Sequence, residues 1–155
     1  MDRVPSATFF STASLPGHTI AFHKRSTDGS GKADAFRTNK NDDLIWGVIF
    51  EISDGEKRRL DRAEGLGNGY DEKVCLLVLP DSSEIEARIY VATESAIDHK
   101  LQPYCWYMEY IVQGAKDWKL PKSYIDFLVQ IPCVADNDVL RRDANASIIQ
   151  RHLKK

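Results

Sequence analysis

The chain has 155 residues, of which 43% are hydrophobic and 28% are charged. This length and composition fit one compact domain and exclude collagen-like and intrinsically disordered chains. The formal net charge of −2 argues against a nucleic-acid partner bound mainly through its phosphates. No stretch approaches the roughly 18 apolar residues that cross a bilayer, and the first residues lack the apolar segment of a secretory signal. We therefore expect a cytoplasmic protein without a membrane partner.

The first half of the chain reads as short strands joined by turns. Alternating or continuous apolar residues predict strands at 9–11, 18–23, 33–38, 44–52, 74–79 and 85–92. One helix interrupts this series, from residue 53 to residue 63, and stops at Gly65. Ser53 followed by Glu56 has the spacing of a capping box, in which each side chain bonds the backbone N–H of the other residue.

The second half reads as helices, at 104–116, 121–130 and 145–153. The first of these places Tyr104, Tyr107, Met108 and Ile111 on one face. Strands followed by helices are typical of an α+β domain. We see no internal repeat or linker, and we expect a single domain.

Three cysteines, Cys75, Cys105 and Cys133, are spread along the chain without a Cys-x-x-Cys spacing. An odd number of cysteines is a poor disulfide framework, and disulfides are rare in cytoplasmic proteins. We expect all three cysteines to be reduced.

Four stretches resemble the γ-glutamylcyclotransferase-like (AIG2-like) family in their order and spacing. They read LPGH at 15–18 with STDGSGKA at 26–33, IWGVIF at 45–50, LDRAEG at 60–65 with Tyr70, and PY at 103–104 with GA at 114–115 and LPKSY at 120–124. The resemblance implies a family domain at residues 1–132 and a helical tail at 133–155. It also implies an α+β fold built on a small closed mixed β-barrel with flanking helices.

The resemblance implies an activity as well. Family members cyclise a γ-glutamyl amine or peptide: the substrate's α-amine attacks its own γ-carbonyl, giving 5-oxoproline and a free amine. One carboxyl group can act as base and then as acid if a partly apolar pocket holds it, and hydrogen-bond donors stabilise the oxyanion. No metal or other cofactor is implied, and the partner is a small substrate. The alternative is a non-catalytic barrel that binds a small ligand or a protein, and both a monomer and a homodimer stay open.

Glu64 matches the catalytic glutamate of the family. It ends a helix, where the helix dipole disfavours a negative charge, and the alternative is an ordinary exposed glutamate. Tyr70 and Tyr104 match tyrosines that line the family's pocket, with core packing as the alternative for each. Trp46 matches too, and we expect it in the core.

Two other patterns do not favour a site. The glycines at 65, 67 and 69 lack the Lys-Ser/Thr of a phosphate-binding loop, so we expect a plain connection. A strand places His18 and His23 on opposite faces, so we expect no metal shared between them.

One family segment is absent from the 155 residues. Family members have a strand ending in Tyr-Gly-Ser-Asn about twenty residues before the region that matches 5–7, and it binds the γ-glutamyl group. Because each oxyanion donor is worth roughly 10² to 10³ in rate, we expect the sequence as given to be impaired. An assay beside a chain extended upstream through that segment would check this, and equal activity would count against it.

Overall fold

The computed structural model describes residues 4–40 and 42–153, with side chains through Arg151. The strands are β1 (Thr8–Pro16), β2 (His18–Arg25), β3 (Gly31–Arg37), β4 (Leu44–Glu51), β5 (Tyr70–Val78) and β6 (Glu84–Ala92). The helices are α1 (Asp54–Glu64), α2 (Cys105–Asp117), α3 (Lys122–Val129) and α4 (Val139–Leu153), with a short 3₁₀ turn at Glu94–Ala96. The predicted α+β class is confirmed, and every predicted strand and helix is present with shifted ends.

The described strands form two antiparallel sheets. The larger sheet has the order β4-β1-β5-β6, and β2 and β3 form a separate hairpin. The backbone pairing of β1 with β5 is limited to Ser14 with Val78. The prediction of a closed mixed barrel is therefore wrong in its closure, because no ladder among the described strands joins the hairpin to the larger sheet.

Side-chain hydrogen bonds join the two sheets along what we call the seam, the boundary between β3 and the strands β5 and β6. The Ala92 N–H in β6 donates to Oδ1 of Asp34 in β3 at 2.7 Å. The Tyr70 hydroxyl in β5 donates to the Ala33 carbonyl in β3 at 3.0 Å. The seam is thus held by particular side chains rather than by a continuous backbone pattern.

The predicted capping box at the start of α1 is wrong. Ser53 does occupy the N-cap position, but its side chain makes no capping hydrogen bond. Instead Glu56 accepts hydrogen bonds from the backbone N–H and the hydroxyl of Ser6, and the Ser53 N–H donates to the Ser6 hydroxyl at 3.0 Å. Ser6, which lies 47 positions before Ser53, therefore binds the polar groups of Ser53 and Glu56 at the start of this helix.

Two apolar clusters form the core. The cluster beneath α2 and α3 has Ala115, Leu120, Tyr124 and Leu128 at its centre, with Trp46 packed against it. The cluster between the strands of the larger sheet contains Ala13, Leu15 and Leu77. Trp46 is therefore a core residue, as predicted.

The prediction that all cysteines are reduced is wrong, because Cys105 and Cys133 form a disulfide. Cys105 begins α2, and Cys133 follows α3. The Cys105 N–H donates to the Val134 carbonyl at 3.0 Å, and the Val134 N–H donates to the Pro103 carbonyl at 3.0 Å. These bonds bring the two Cα atoms to 5.0 Å, within the range that a disulfide spans.

The last helix, α4, begins at Val139, earlier than predicted. Asp138 precedes it and accepts a hydrogen bond from the Arg141 N–H at 3.0 Å, which is the geometry of an N-cap. Within the described residues, no helix is long and apolar enough to span a membrane.

Candidate active site

Glu64 is the last residue of α1 and is half-buried. The helix ends there because Gly65 adopts a left-handed conformation, with φ of 77° and ψ of 38°, which glycine tolerates because it has no Cβ. The chain then turns, and the Gly67 N–H donates to the Tyr70 carbonyl at 2.8 Å. This turn brings the start of β5 back toward the end of α1.

Tyr70 reaches across the seam from β5. Its hydroxyl is bound to the Ala33 carbonyl, as described above, and the ammonium of Lys24 lies 4.7 Å from the centroid of its ring. Gly69 has a φ of 110°, and a Cβ there would stand 3.1 Å from Cε of Lys24. A glycine before Tyr70 therefore leaves room for the lysine over the ring.

Tyr107 in α2 contacts the same residue of β3 as Tyr70 does. The Ala33 N–H donates to the Tyr107 hydroxyl oxygen at 3.3 Å, so two tyrosines bind the N–H and the C=O of Ala33. The sequence placed Tyr107 only on a helix face, without a role in the site. The contact joins residues 74 positions apart, and no local pattern marks it.

Glu64 acts electrostatically on both hydroxyl groups. Burial is the main cause that raises the pKa of Tyr70, and Tyr107, Asp34 and Glu64 raise this pKa further. Burial also raises the pKa of Tyr107; the Ala33 N–H lowers it, and the charge of Glu64 raises it. Both hydroxyl groups therefore stay protonated at neutral pH. The Tyr70 proton is donated to the Ala33 carbonyl, whereas the Tyr107 hydroxyl accepts the Ala33 N–H and retains its own proton to donate to a bound molecule.

Glu64 also lines a groove of about 840 Å³ between α1, β4 and β6. Apolar side chains of β4, β5 and β6 line it, among them Val48, Leu77 and Ile89, and Lys57, Arg58 and Arg88 lie on it as well. Apolar surroundings with a few charged groups are typical of small-molecule sites. A second groove, of about 740 Å³, contains Asp34 and none of the three predicted site residues.

Tyr104 precedes α2 and belongs to a different group of contacts. Its hydroxyl donates to the Asp28 carbonyl at 3.0 Å. The ammonium of Lys32 lies 6.0 Å from its ring centroid, and Cζ of Arg141 lies 5.3 Å from the same centroid. The structure thus places Tyr70 beside Ala33 together with Tyr107, and Tyr104 beside Asp28 and Lys32.

His23 lies inside the protein and bonds to two titratable side chains. Its Nε2 is 2.9 Å from Oδ2 of Asp34, and its Nδ1 is 3.4 Å from Nδ1 of His99. His18 contacts the Pro16 carbonyl instead. Among the residues that the structure describes, no three His, Cys, Asp or Glu side chains are grouped to hold a metal ion.

Asp28 makes the stability of the protein depend on pH. Burial raises the pKa of Asp28, but hydrogen bonds from Lys32 and Ser30 outweigh burial and bring this pKa from 3.8 to about 2. Because the pKa is lower in the folded protein, the ionised group stabilises the fold above pH about 4, and this contribution is lost as the pH falls through about 2.

We expect the free energy of unfolding to fall between pH 4 and pH 2, and to fall less in Asp28→Asn, which has no proton to bind at this position. Urea denaturation across this pH range measures both slopes. Identical slopes in the two proteins would contradict the assignment.

The sequence profile of the AIG2-like family matches residues 44–128, which is more than half of the chain. The chain belongs to the AIG2-like family. The match contains Glu64, Tyr70, Tyr104 and Tyr107, whereas Asp28 and Lys32 lie before it.

Two γ-glutamylcyclotransferases are similar in sequence to this AIG2-like chain. The human protein is 31% identical over 137 residues, which are 83% of this chain and 69% of that protein. The bovine protein is 29% identical over 128 residues, which are 79% of this chain and 65% of that protein. The chain thus spans about two thirds of the length of each relative.

Solved structures share the fold of this AIG2-like chain. A γ-glutamyl cyclotransferase structure superposes with a TM-score of 0.85 at 26% identity, covering 96% of this chain and 88% of that one. A structure of the uncharacterized human protein loc79017 gives a TM-score of 0.80 at 26% identity with the same coverage. These likenesses support the family's fold for the whole described chain.

Proposed function

We propose that this AIG2-like protein converts a γ-glutamyl amine or peptide to 5-oxoproline and releases the amine. The γ-glutamylcyclotransferases among its relatives support the reaction class. The observation that carries the proposal is the position of Glu64, a half-buried carboxylate at the end of α1 that lines a largely apolar groove and is followed by the turn that leads to Tyr70.

Glu64 is the proton carrier in this proposal. The carboxylate takes a proton from the α-ammonium of the substrate, and the freed amine attacks the γ-carbonyl carbon. A C–N bond closes the five-membered ring as the bond to the leaving nitrogen breaks, and Glu64 passes the first proton to that nitrogen. The attacking nitrogen loses a second proton as it becomes the lactam N–H, and the released amine takes up this proton and leaves as an ammonium ion. Atoms and charge balance without a metal, a nucleotide or a second reactant.

The reaction is intramolecular, so the protein mainly has to hold the substrate in its folded-back conformation. Tethering of this kind supplies effective concentrations of about 10⁵ M or more. Tyr107 can donate a hydrogen bond to the substrate or to the developing oxyanion, since its raised pKa keeps the hydroxyl protonated and this hydroxyl is the acceptor in its bond with Ala33. Tyr70, whose proton is donated to the Ala33 carbonyl, supports the site through that bond. Tyr104 is proposed to bind substrate as well, because it matches a tyrosine that lines the family's pocket.

The test is release of 5-oxoproline by the purified protein from a panel of γ-glutamyl amino acids and γ-glutamyl amines. Chromatography with mass detection should find 5-oxoproline and free amine in equal amounts. The matched control is the same panel with an acetylated α-amine, which cannot attack and should give no product. A panel without any turnover, or turnover of the acetylated substrates, would contradict the proposal.

A further inference from the structure

The ammonium of Lys32 sits among three aromatic rings at the start of β3. Its Nζ is 4.6 Å from the ring centroid of Tyr107, 4.9 Å from that of Trp106 and 6.0 Å from that of Tyr104. Cations are attracted to the faces of aromatic rings at such distances. We call Lys32 and these three residues the aromatic cage.

Polar partners hold the Lys32 ammonium in the aromatic cage. It donates to Oδ2 of Asp28 at 2.7 Å and to the hydroxyl of Ser30 at 2.9 Å. The side chains of Lys32 and Asp28 are only 18% and 17% exposed, so this ion pair is largely shielded from water. Because the ammonium already donates to Asp28 and Ser30 and faces three rings, it is poorly placed to bind an anionic substrate directly.

Tyr107 is the member of the aromatic cage that also contacts the candidate site. Its ring lies nearest to the Lys32 ammonium, while its hydroxyl accepts the N–H of Ala33, the residue next to Lys32. The side chain of Lys32 and the backbone of Ala33 therefore fix Tyr107 at two points. The Tyr107 ring also makes edge contacts with the rings of Trp106 and Phe22.

We propose that Lys32 is a positioning residue, which holds Tyr107 in the orientation that the reaction at Glu64 requires. The inference rests on the proposed cyclotransferase function and extends it to a residue outside the matched region of the family. Lys32 acts through Tyr107 and does not itself touch the substrate. Without the ammonium, the ring of Tyr107 loses its attraction to Lys32, and its hydroxyl can move away from the Ala33 N–H.

The test compares Lys32→Met, which keeps length and removes charge, with Lys32→Arg, which keeps the charge. We expect Lys32→Met to lower kcat about 10- to 100-fold, since a 1 Å misplacement can cost about that much, with KM changed less than about threefold. Lys32→Arg should recover most of the loss. A folded Lys32→Met variant with normal kcat, or an Arg variant as impaired as the Met variant, would overturn the proposal.

Lys122→Met is the matched control. Lys122 also pairs with an aspartate four residues away, Asp126, at 2.7 Å, but its side chain is 86% exposed on α3. Loss of a lysine from such an ion pair should leave both kcat and KM unchanged. Circular dichroism and melting temperature establish that each variant is folded.

A second measurement needs no substrate and separates this inference from the proposed function. The chain has six tyrosines, and ring-labelled tyrosine gives one NMR signal set for each, with that of Tyr107 assigned from Tyr107→Phe. Lys32→Met should shift the Tyr107 signal and leave in place that of Tyr124, which lies in the apolar cluster beneath α2 and α3. An unmoved Tyr107 signal would overturn the role of Lys32. A shifted signal in a protein without turnover would uphold the contact while the proposed function fails.

Discussion

We expect Glu64→Gln to lower turnover of γ-glutamyl substrates by about 10² to 10⁴, the usual contribution of a general acid–base group. Glutamine keeps the size and shape of the side chain, but it neither accepts the proton of the substrate ammonium nor returns it to the leaving nitrogen. The fold should survive, because Glu64 is only half-buried at the end of α1. Steady-state release of 5-oxoproline, with protein concentration matched by absorbance, measures the effect.

Glu109→Gln is the control for this substitution. Glu109 is an exposed glutamate on α2, so the same chemical change there should leave turnover unaltered. Undiminished release of 5-oxoproline by folded Glu64→Gln would show that another group moves the proton.

The second large effect concerns stability. Replacing both Cys105 and Cys133 by serine should lower the free energy of unfolding by about 3 to 4 kcal/mol, because the disulfide closes a loop with a sequence separation of 28 and so restricts the unfolded chain. For a domain of this size that corresponds to a fall in Tm of roughly 6 to 15 °C. Urea denaturation and calorimetry under non-reducing conditions measure it.

Cys75→Ala provides the comparison, since Cys75 is half-buried and forms no disulfide. A dithiol reductant should lower the Tm of the wild type and of Cys75→Ala toward that of the double serine variant, whose own Tm should not respond. A reductant without effect on the wild type would mean that the Cys105–Cys133 bond is not formed in solution.

The fold was largely predictable because its signals are local. Apolar patterns of period 2 and apolar runs gave the six strands, and left-handed Gly65 ended α1 where expected. Two predictions that were wrong, the capping box of α1 and the reduced cysteines, depend on contacts between residues far apart in the sequence. Ser6 rather than Ser53 satisfies Glu56, and the pairing of Cys105 with Cys133 follows from backbone bonds at Val134. Neither contact has a counterpart in the spacing of residues along the chain.

The residues of the candidate site were likewise predictable only where they lie close together in the sequence. Glu64 and Tyr70 lie within one family motif, and the turn between them folds back through the Gly67 N–H, so sequence alone could group them. Tyr107 could not be found, because its link to them passes through Ala33, a residue without functional side-chain atoms. Lys32 lies in a glycine-containing stretch whose pattern predicts no role for it. The aromatic rings around it come from Tyr104 and from the first turn of α2, more than seventy residues later.

The seam has a consequence for how the protein loses activity. Three different structural elements meet at Ala33. Tyr70 belongs to the larger sheet, Ala33 to the β2–β3 hairpin and Tyr107 to helix α2. Among the described strands, no ladder ties the hairpin to the larger sheet. Elements held by few backbone bonds open locally, at free energies below that of global unfolding. Mild denaturant should therefore abolish the proposed cyclotransferase activity while most of the helix and sheet signal remains, so loss of activity and unfolding would follow separate curves.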